Sequence, residues 1–343
     1  MIDIHKLVRE NIRNLTPYSS AREEFKGTSG IFFDANENPY GKLNRYPDPY
    51  QKTLKKAISE YKKIPEENIF LGNGSDEIID LFFRIFCRPG IDKTLIFPPT
   101  YGMYEVSAEI NDSPIIKIPL NQSFQIDVKN AIPLLSDKNL KLIFICSPNN
   151  PTGNTINRDD IETIISKSNS IVVIDEAYVD FSDNGSVAGL IKKYPNLIVM
   201  QTFSKAFGLA SVRVGIAFMN QEIIKYFNKV KPPYNISLIN QNAVLSKIIK
   251  PHIIEKEIDS IKNEKRKLIN ELSKFAIIEK IYPSDANFLL AKVKDADKVY
   301  NELVKQGIII RNRNSAVKNC IRITVGKPSE NSKLLKAFKT IAI

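Results

Sequence analysis

Three side chains that could hold a phosphorylated aldehyde lie in the middle of the chain. Asp175 ends the apolar run IVVI, Lys205 lies 30 residues further on, and Arg213 opens the run VRVGIAFM (212–219). A lysine amine can form a Schiff base with an aldehyde, and an arginine binds phosphate. A carboxylate that follows an apolar run is costly to bury unless a cation pairs with it. These residue types therefore suit a ligand that carries an aldehyde, a phosphate and a positively charged group.

The segments around these residues alternate between strand-like and helix-like patterns, which predicts an α/β fold around a mostly parallel sheet with helices on both faces. The predicted strands are 95–98, 115–120, 140–146, 170–177 and 196–202, and helix-like segments at 158–168 and 186–194 separate some of them. One crossover separates Asp175 from Lys205, so both should lie at the carboxyl ends of adjacent strands, where open sheets bind ligands. The run at 212–219 follows too short a turn for a crossover helix. It should run antiparallel, which brings Arg213 to the same end.

The remaining segments predict a second, smaller α/β unit. The first 30 residues are typical of an arm with a short helix that ends at Pro17, residues 34–50 of a loop, and residues 51–64 of a helix. A long amphipathic helix is predicted from about Ile236 to Leu272. After it come predicted strands at 286–293, 308–313 and 320–326 and predicted helices at 296–307 and 330–342. We therefore expect a large ligand-binding domain over 45–240 and a small domain made of 1–44 and 241–343.

Composition excludes several classes of function. Apolar residues make up 43% of the 343 residues, and no apolar run is long enough to span a membrane. The N-terminal residues lack the order of a signal peptide, so we expect a cytoplasmic protein. Two histidines and three separated cysteines argue against a Cys/His metal site. The net charge of +11 comes from lysines interleaved with acidic residues, which favours a solvated surface over a nucleic-acid site.

Pyridoxal 5′-phosphate (PLP) carries the three groups that the central residues could bind. Lys205 could attach its aldehyde, and Asp175 could pair with the pyridinium nitrogen and keep it protonated, so that the ring accepts electrons. Arg213 could bind the phosphate together with amides at a helix N-terminus. The sequence therefore predicts a PLP site.

Several motifs resemble known enzymes over nearly the whole chain. SPNNPTG (147–153), DEAYVDF (175–181) and TFSKAFGLASVRVG (202–215) resemble the fold type I, or aspartate aminotransferase-like, family of PLP enzymes. The motifs that resemble the histidinol-phosphate aminotransferases within that family are NENPYG (36–41), NRYPDPY (44–50), GNGSDE (72–77), PPTYGMY (98–104) and IRITVG (321–326). The resemblance implies a mostly parallel seven-stranded sheet and two half-transaminations that interconvert L-histidinol phosphate plus 2-oxoglutarate with imidazole-acetol phosphate plus L-glutamate.

The resemblance also implies a role for each matching cofactor residue. Lys205 would attach the cofactor and move protons, and Asp175 would hold the ring nitrogen. Asn150 and Tyr178 would hydrogen-bond the 3′-oxygen of the ring, and Tyr101 would stack on it. The residues implied to bind the phosphate are Gly74, Ser75 and Asp76 at a helix start, Thr202, Arg213, and Tyr46 from the other subunit. A homodimer with shared active sites follows from the last of these roles.

Substrate recognition would fall to Arg322, whose planar guanidinium suits a carboxylate. The companions that the resemblance implies are Arg311, Tyr18, Asn36 and Asn287. Glutamate and histidinol phosphate would alternate in one site, and which arginine takes the carboxylate and which the phosphate stays open. Three alternatives also stay open: a threonine-phosphate decarboxylase, an aromatic or sugar-pathway aminotransferase, and a PLP-binding transcription regulator. The last has little support, since the roughly 30 residues before the core motifs leave no room for a DNA-reading module.

Overall fold

The structure is a computed structural model that describes residues 2–18 and 30–341, so part of the predicted arm, residues 19–29, lies outside the described residues. Within those ranges the backbone forms a seven-stranded sheet and a four-stranded sheet. The strands of the larger sheet are β1 (Ile69–Gly72), β2 (Lys93–Ile96), β3 (Ile115–Lys117), β4 (Leu140–Cys146), β5 (Ile171–Asp175), β6 (Leu197–Thr202) and β7 (Gly215–Phe218). Their order, β1-β7-β6-β5-β4-β2-β3, confirms the predicted α/β fold with its seven-stranded sheet.

Twelve α-helices are described in residues 2–18 and 30–341. They are α1 (Ile4–Leu7), α2 (Glu10–Arg13), α3 (Lys52–Lys62), α4 (Gly74–Phe86), α5 (Met103–Ile110), α6 (Val128–Ala131), α7 (Arg158–Lys167), α8 (Gln221–Val230), α9 (Leu238–Ile248), α10 (Pro251–Leu272), α11 (Ala296–Lys305) and α12 (Pro328–Lys339). No helix among the described residues is long and apolar enough to cross a membrane.

Helices cover both faces of the larger sheet. Along β5, Val172 and Ile174 pack into the core cluster that contains the buried residues of α3, α7 and α9. Ile171 and Val173 point the other way, into the cluster formed with α4, α5 and α8. Burial on both faces explains why the strands are nearly continuous apolar runs.

The antiparallel direction predicted for the run at 212–219 is confirmed. Strand β7 pairs antiparallel with both β6 and β1, and Gly215 lies opposite Thr202 on one side and Gly72 on the other. The sequence analysis did not identify β1, because IFLG is short and carries no alternation of polar residues. Its pairing matters for the site, since it brings the start of α4 beside Arg213.

Two helix predictions were wrong in detail. The predicted helix from Ile236 to Leu272 is two helices, α9 and α10, that separate at Pro251. Proline has no N–H to continue the hydrogen-bond ladder and restricts the residue before it, so the first helix ends and a second begins. The helix-like segment 186–194 forms only a short 3₁₀ helix, Ala188–Lys192. Its central Gly189 lowers helix propensity.

The smaller sheet contains β8 (Ile278–Ile281), β9 (Phe288–Val293), β10 (Arg311–Asn312) and β11 (Cys320–Thr324) in the order β10-β11-β9-β8. It has a core of its own with residues of α10, α11 and α12. Strand β8 was not predicted, and only two residues of the predicted strand 308–313 are paired. The division into domains at 45–240, with 1–44 and 241–343 as the second, stays a prediction.

Candidate active site

A cavity of about 570 Å³ opens at the carboxyl ends of β4, β5 and β6. Most of the residues that the sequence predicted for the site line it. They are Ser75, Asp76, Tyr101, Asn150, Asp175, Tyr178, Thr202, Lys205, Arg213, Arg311 and Arg322. Parallel strands bring residues that are distant in sequence to the carboxyl edge of the sheet. Open sheets bind their ligands at this edge.

Asp175 lies at the inner end of this cavity. It is the last residue of β5, pairs with Cys146 of β4 and Met200 of β6, and is 3% exposed. Its Oδ2 accepts a hydrogen bond of 2.6 Å from the Tyr104 hydroxyl, and its Oδ1 accepts one of 3.0 Å from the Ala177 N–H. Burial raises the pKa of Asp175, while these two donors and Lys205 act in the opposite direction. A buried carboxylate of this kind suits a cationic ring nitrogen.

Lys205 lies three residues beyond the end of β6, the strand that pairs with β5. Its Nζ is 5.6 Å from the centroid of the Tyr178 ring. Burial lowers the pKa of Lys205, and the nearby Arg322 guanidinium lowers it further. A lowered pKa increases the fraction of neutral amine, which is the form that attacks an aldehyde.

The start of α4 and Arg213 form a site for an anion. Gly74 begins this helix with φ +76°, and a Cβ at this position would lie 2.5 Å from Arg213 Nη2. The same guanidinium donates a hydrogen bond of 3.1 Å to Asp76 Oδ2. Thr202 Oγ1 accepts from the Ser204 N–H, so its own proton remains available for a ligand. Helix amides, a guanidinium and a hydroxyl together provide the donors that a phosphate needs.

Three side chains connect the cofactor end of the cavity to the smaller sheet. Arg322, on β11, donates a hydrogen bond to Asn150 Oδ1, and Asn150 Nδ2 lies 3.5 Å from the Tyr178 hydroxyl. Burial raises the pKa of Tyr178, which keeps its hydroxyl protonated as a donor. The Arg322 guanidinium also lies 5.2 Å from the centroid of the Phe288 ring.

These residues fit PLP. Asp175 is placed for a ring nitrogen, Lys205 for the aldehyde, and the start of α4 with Arg213 for the phosphate. Tyr101 lines the cavity, and its hydroxyl lies 3.2 Å from Asp76 Oδ1, which fixes the ring beside the expected cofactor. The glycine at position 74 is consistent with this fit, because the space that a Cβ would fill is taken by the Arg213 guanidinium.

Five predicted site residues do not line this cavity among the described residues of one chain: Gly74, which lies next to the lining residue Ser75, and Tyr18, Tyr46, Asn36 and Asn287. Tyr18 is 71% exposed, and Tyr46 is 50% exposed and stacks on Tyr234 with ring centroids 4.5 Å apart. Asn36 lines a separate hollow that it shares with Tyr46. Asn287 is partly buried, and its carbonyl accepts a hydrogen bond from the Val325 N–H.

Sequence reasoning missed two residues that belong to the site. Tyr104 is fully buried and holds Asp175, and Arg313 lines the cavity beside Arg311 and Arg322. A signal for each was present. Tyr104 ends the same motif, PPTYGMY, that contains Tyr101. Arg313 lies two residues after Arg311, which places both on one face of a strand.

Comparisons with known proteins identify the family of this chain. The family model described as aminotransferase class I and II matches residues 21–338. A histidinol-phosphate aminotransferase from Cytophaga hutchinsonii is 49% identical over 344 residues, which cover 98% of this chain and 99% of the relative. The crystal structure of the histidinol-phosphate aminotransferase from Clostridium acetobutylicum is 29% identical, with a TM-score of 0.79 over 87% of this chain and 90% of the other.

A more distant likeness supports the fold. The histidinol-phosphate aminotransferase from Sinorhizobium meliloti, whose structure contains pyridoxal-5′-phosphate, is 20% identical and has a TM-score of 0.80 over 90% of each chain. With a matching family model and relatives of nearly equal length, the chain belongs to the class I and II aminotransferases and, within them, to the histidinol-phosphate aminotransferase family.

Proposed function

We propose that this PLP-dependent aminotransferase moves an amino group from L-glutamate to imidazole-acetol phosphate, giving 2-oxoglutarate and L-histidinol phosphate in histidine biosynthesis. The observation that carries this proposal is the charge of the cavity. Five cationic side chains line it, Lys205, Arg213, Arg311, Arg313 and Arg322, against the two carboxylates of Asp76 and Asp175. Glutamate and histidinol phosphate both carry anionic groups beyond the reacting amine. The names of the nearly full-length relatives support the same pair of substrates.

The cofactor residues have separate tasks. When bound, PLP supplies an electron sink that stabilises the charge that develops at the substrate Cα. Asp175 keeps the ring nitrogen protonated, since a buried carboxylate next to that nitrogen favours its cationic form. Ser75, Thr202 and Arg213 bind the phosphate, and Asn150 with Tyr178 orients the 3′-oxygen.

Lys205 moves the proton. Its ε-amine would hold the aldehyde of the cofactor and would become free when the substrate amine takes that position. The freed amine then removes the proton from the substrate Cα as a general base and returns a proton as a general acid. The lowered pKa of Lys205 fits this task, because a base must be largely unprotonated at working pH.

The substrate anion is held by the smaller sheet. Arg322 already donates to Asn150, so an anion bound by its guanidinium would lie next to the reacting centre. Arg311 is paired with Arg322 across the β10–β11 ladder and adds a second guanidinium at this end of the cavity. Tyr18, Asn36 and Asn287 stay proposed as further substrate contacts.

The active enzyme is a homodimer in this proposal. Large apolar side chains are highly exposed in the segment that carries Tyr46, with Ile31 at 87%, Phe33 at 93% and Tyr40 at 83%. Exposed apolar groups concentrated in one segment are typical of an interaction surface. A second copy that covers them would bring Tyr46 to the partner's phosphate site.

The location of the protein stays proposed as cytoplasmic.

A half-reaction tests the function directly. The PLP-loaded enzyme is mixed with L-histidinol phosphate alone, and the visible absorbance band of the bound cofactor is followed. Loss of the band, and its return on addition of 2-oxoglutarate, is the expected result. A matched sample of Lys205→Ala protein should show neither change.

The same experiment separates the alternatives. A response to glutamate but not to histidinol phosphate would place the enzyme in another pathway, and a faster response to an aromatic amino acid would favour an aromatic aminotransferase. Release of carbon dioxide from O-phospho-L-threonine would favour the decarboxylase. Lack of a visible band in the presence of PLP would contradict the assignment of Lys205.

A further inference from the structure

Arg313 lines the active-site cavity and adds to its positive charge, but it has no individual role in the function described above. It follows directly after β10 and points to the same side as Arg311, because alternate residues of a strand share a face. Its backbone is well held, since its N–H donates to the Cys320 carbonyl and its own carbonyl accepts from the N–H groups of Ala316 and Val317. The guanidinium is therefore carried by a rigid turn.

The carboxylate of Asp297 is bound by the two residues that flank Arg313 in the sequence. Asn312 and Asn314, which alternate with Arg313 along the chain, both donate to the carboxylate of Asp297 on the other side of the strand. In the described part of the chain, no carboxylate forms an ion pair with Arg311, Arg313 or Arg322. Three guanidiniums thus converge on one end of the cavity without a counter-charge.

Arg313 also carries a donor without a partner. Its Nε is buried and makes no hydrogen bond to any residue that the structure describes. Burial lowers the pKa of Arg313, and the neighbouring Arg322 and Arg311 lower it further. A buried donor without an acceptor costs free energy, so such a group points to a bound anion that would satisfy it.

The chemistry of the two substrates indicates which anion this is. In glutamate the α-carboxylate is bonded directly to Cα. In L-histidinol phosphate a CH₂–O–phosphate group takes that place, so its anionic oxygens lie two bonds further from Cα. Arg322, next to Asn150, can reach the nearer carboxylate. The more distant phosphate has a higher charge and three terminal oxygens, and it requires donors beyond Arg322.

We propose that Arg313 binds the phosphate group of the phosphorylated substrate together with Arg322, and so discriminates that substrate from glutamate. This inference rests on the proposed function, since it assigns one group of the proposed substrate to one residue. Arg313 is a specificity-determining residue here, and the α-carboxylate of glutamate is bound without it.

The test compares half-reactions of wild-type, Arg313→Gln and Lys318→Gln enzymes with three amine donors: L-histidinol phosphate, L-histidinol and L-glutamate. Lys318 is the matched control, because it is an exposed cation in the same turn and does not line the cavity. For Arg313→Gln, kcat/KM with L-histidinol phosphate should fall about 10- to 100-fold, as expected for a lost charge-assisted hydrogen bond. The loss should appear in KM, while kcat/KM for glutamate and for L-histidinol should change little.

Other outcomes would overturn the inference. An equal loss with all three donors would make Arg313 a structural residue, and an unchanged kcat/KM for L-histidinol phosphate would remove it from the site. If Arg313→Gln fails to fold in thermal melting, Arg313→Lys keeps the charge but not the planar fork, and an intermediate, phosphate-selective loss is expected. A wild-type enzyme that reacts with glutamate but not with L-histidinol phosphate would overturn the proposed function itself, and this inference with it.

Discussion

The hydroxyl of Tyr104 donates a hydrogen bond of 2.6 Å to Asp175 Oδ2, and both side chains are buried. Tyr104 also stacks on Phe144, with ring centroids 4.7 Å apart, so its orientation is fixed by packing. Removal of the carboxylate from water raises the pKa of Asp175, and the Tyr104 hydroxyl is the first among the groups that oppose this rise. Tyr104 therefore helps to keep Asp175 ionised at the position proposed to bind the cationic ring nitrogen.

Tyr104→Phe should weaken PLP binding and shift the shared proton toward Asp175. The lost hydrogen bond to a charged group is worth about 1.5–3 kcal/mol, or about a 10- to 100-fold higher Kd for PLP. The pKa of Asp175 rises further in the variant, so a larger fraction is protonated as pH falls, and the loss of affinity should be greatest at the acidic end of the range. Cofactor titration at several pH values measures this.

Tyr226→Phe is the matched control, because the Tyr226 hydroxyl bonds His5 outside the cavity. The ring nitrogen of ¹⁵N-labelled PLP should shift toward its unprotonated value only in Tyr104→Phe. Equal effects of the two substitutions would show that Tyr104 acts through packing alone.

Gly74→Ala should damage the phosphate site. The added Cβ would lie 2.5 Å from Arg213 Nη2, and the backbone has φ +76°, which side chains rarely adopt. We expect a loss of about 1–2 kcal/mol in the free energy of unfolding from backbone strain and a weaker affinity for PLP, as Arg213 is displaced. Urea unfolding and cofactor titration check the two effects separately.

Gly189→Ala provides the comparison, since nothing lies within 4 Å of its added Cβ and it lacks a positive φ. It should leave PLP affinity unchanged. If Gly74→Ala binds PLP as tightly as wild type, the start of α4 is not the phosphate site.

Lys205→Met should abolish turnover and yet stabilise the cofactor-free protein. Loss of the proton-transfer residue lowers kcat by at least about 10³-fold. Burial and Arg322 lower the pKa of Lys205 in the folded state below its ordinary value of 10.5, so folding disfavours the protonated amine. That penalty is fully present below the folded-state pKa and disappears as pH rises toward the unfolded value. The variant's gain in unfolding free energy should therefore be largest at low pH and shrink as pH rises.

Urea unfolding of cofactor-free protein over a pH series measures this gain. Lys192→Met, at an exposed position, is the control and should show no such pH dependence. If Lys205→Met were less stable than wild type at every pH, favourable contacts would hold the protonated amine, and Lys205 would not be prepared to act as a base.

Mixing two inactive variants should restore activity if active sites are shared. Tyr46→Ala lacks the residue proposed to reach the partner's phosphate, and Lys205→Ala lacks the proton-transfer residue. A hybrid dimer then has one site with both defects and one site with neither, whereas each parent dimer has two defective sites. Activity assays after mixed refolding measure the recovery.

The control for this experiment mixes Lys205→Ala with Asp175→Ala. Both defects lie in the same cavity of one chain, so no hybrid has an intact site. Recovery in this control, or none in the first mixture, would argue against Tyr46 acting across a subunit interface.

Local sequence determined the cofactor-binding end of this protein. Asp175, Lys205 and Arg213 could be placed together because strand ends in an open sheet converge, and the lengths of the connecting segments fix which strands are neighbours. The antiparallel β7 was also predictable, since it depends on a short turn between adjacent residues, whereas the helix that starts at Gly74 was expected only from the resemblance to a known family. Local sequence also misled in one place: the apolar periodicity continues on both sides of Pro251, but the predicted single helix is two helices that separate there.

Only the tertiary structure decided what surrounds those residues. Tyr104 meets Asp175 across 71 positions of sequence, and Arg322 meets Asn150 across 172. No local pattern encodes either contact, because each depends on how α5 packs on the larger sheet and how the smaller sheet docks against its edge. The same applies to Arg313, whose place beside Arg322 follows from strand pairing between residues that a turn separates. Residue types and their spacing determined which residues could bind the cofactor. Packing between distant segments decided which group acts on the pKa of Asp175 and which arginines face the substrate.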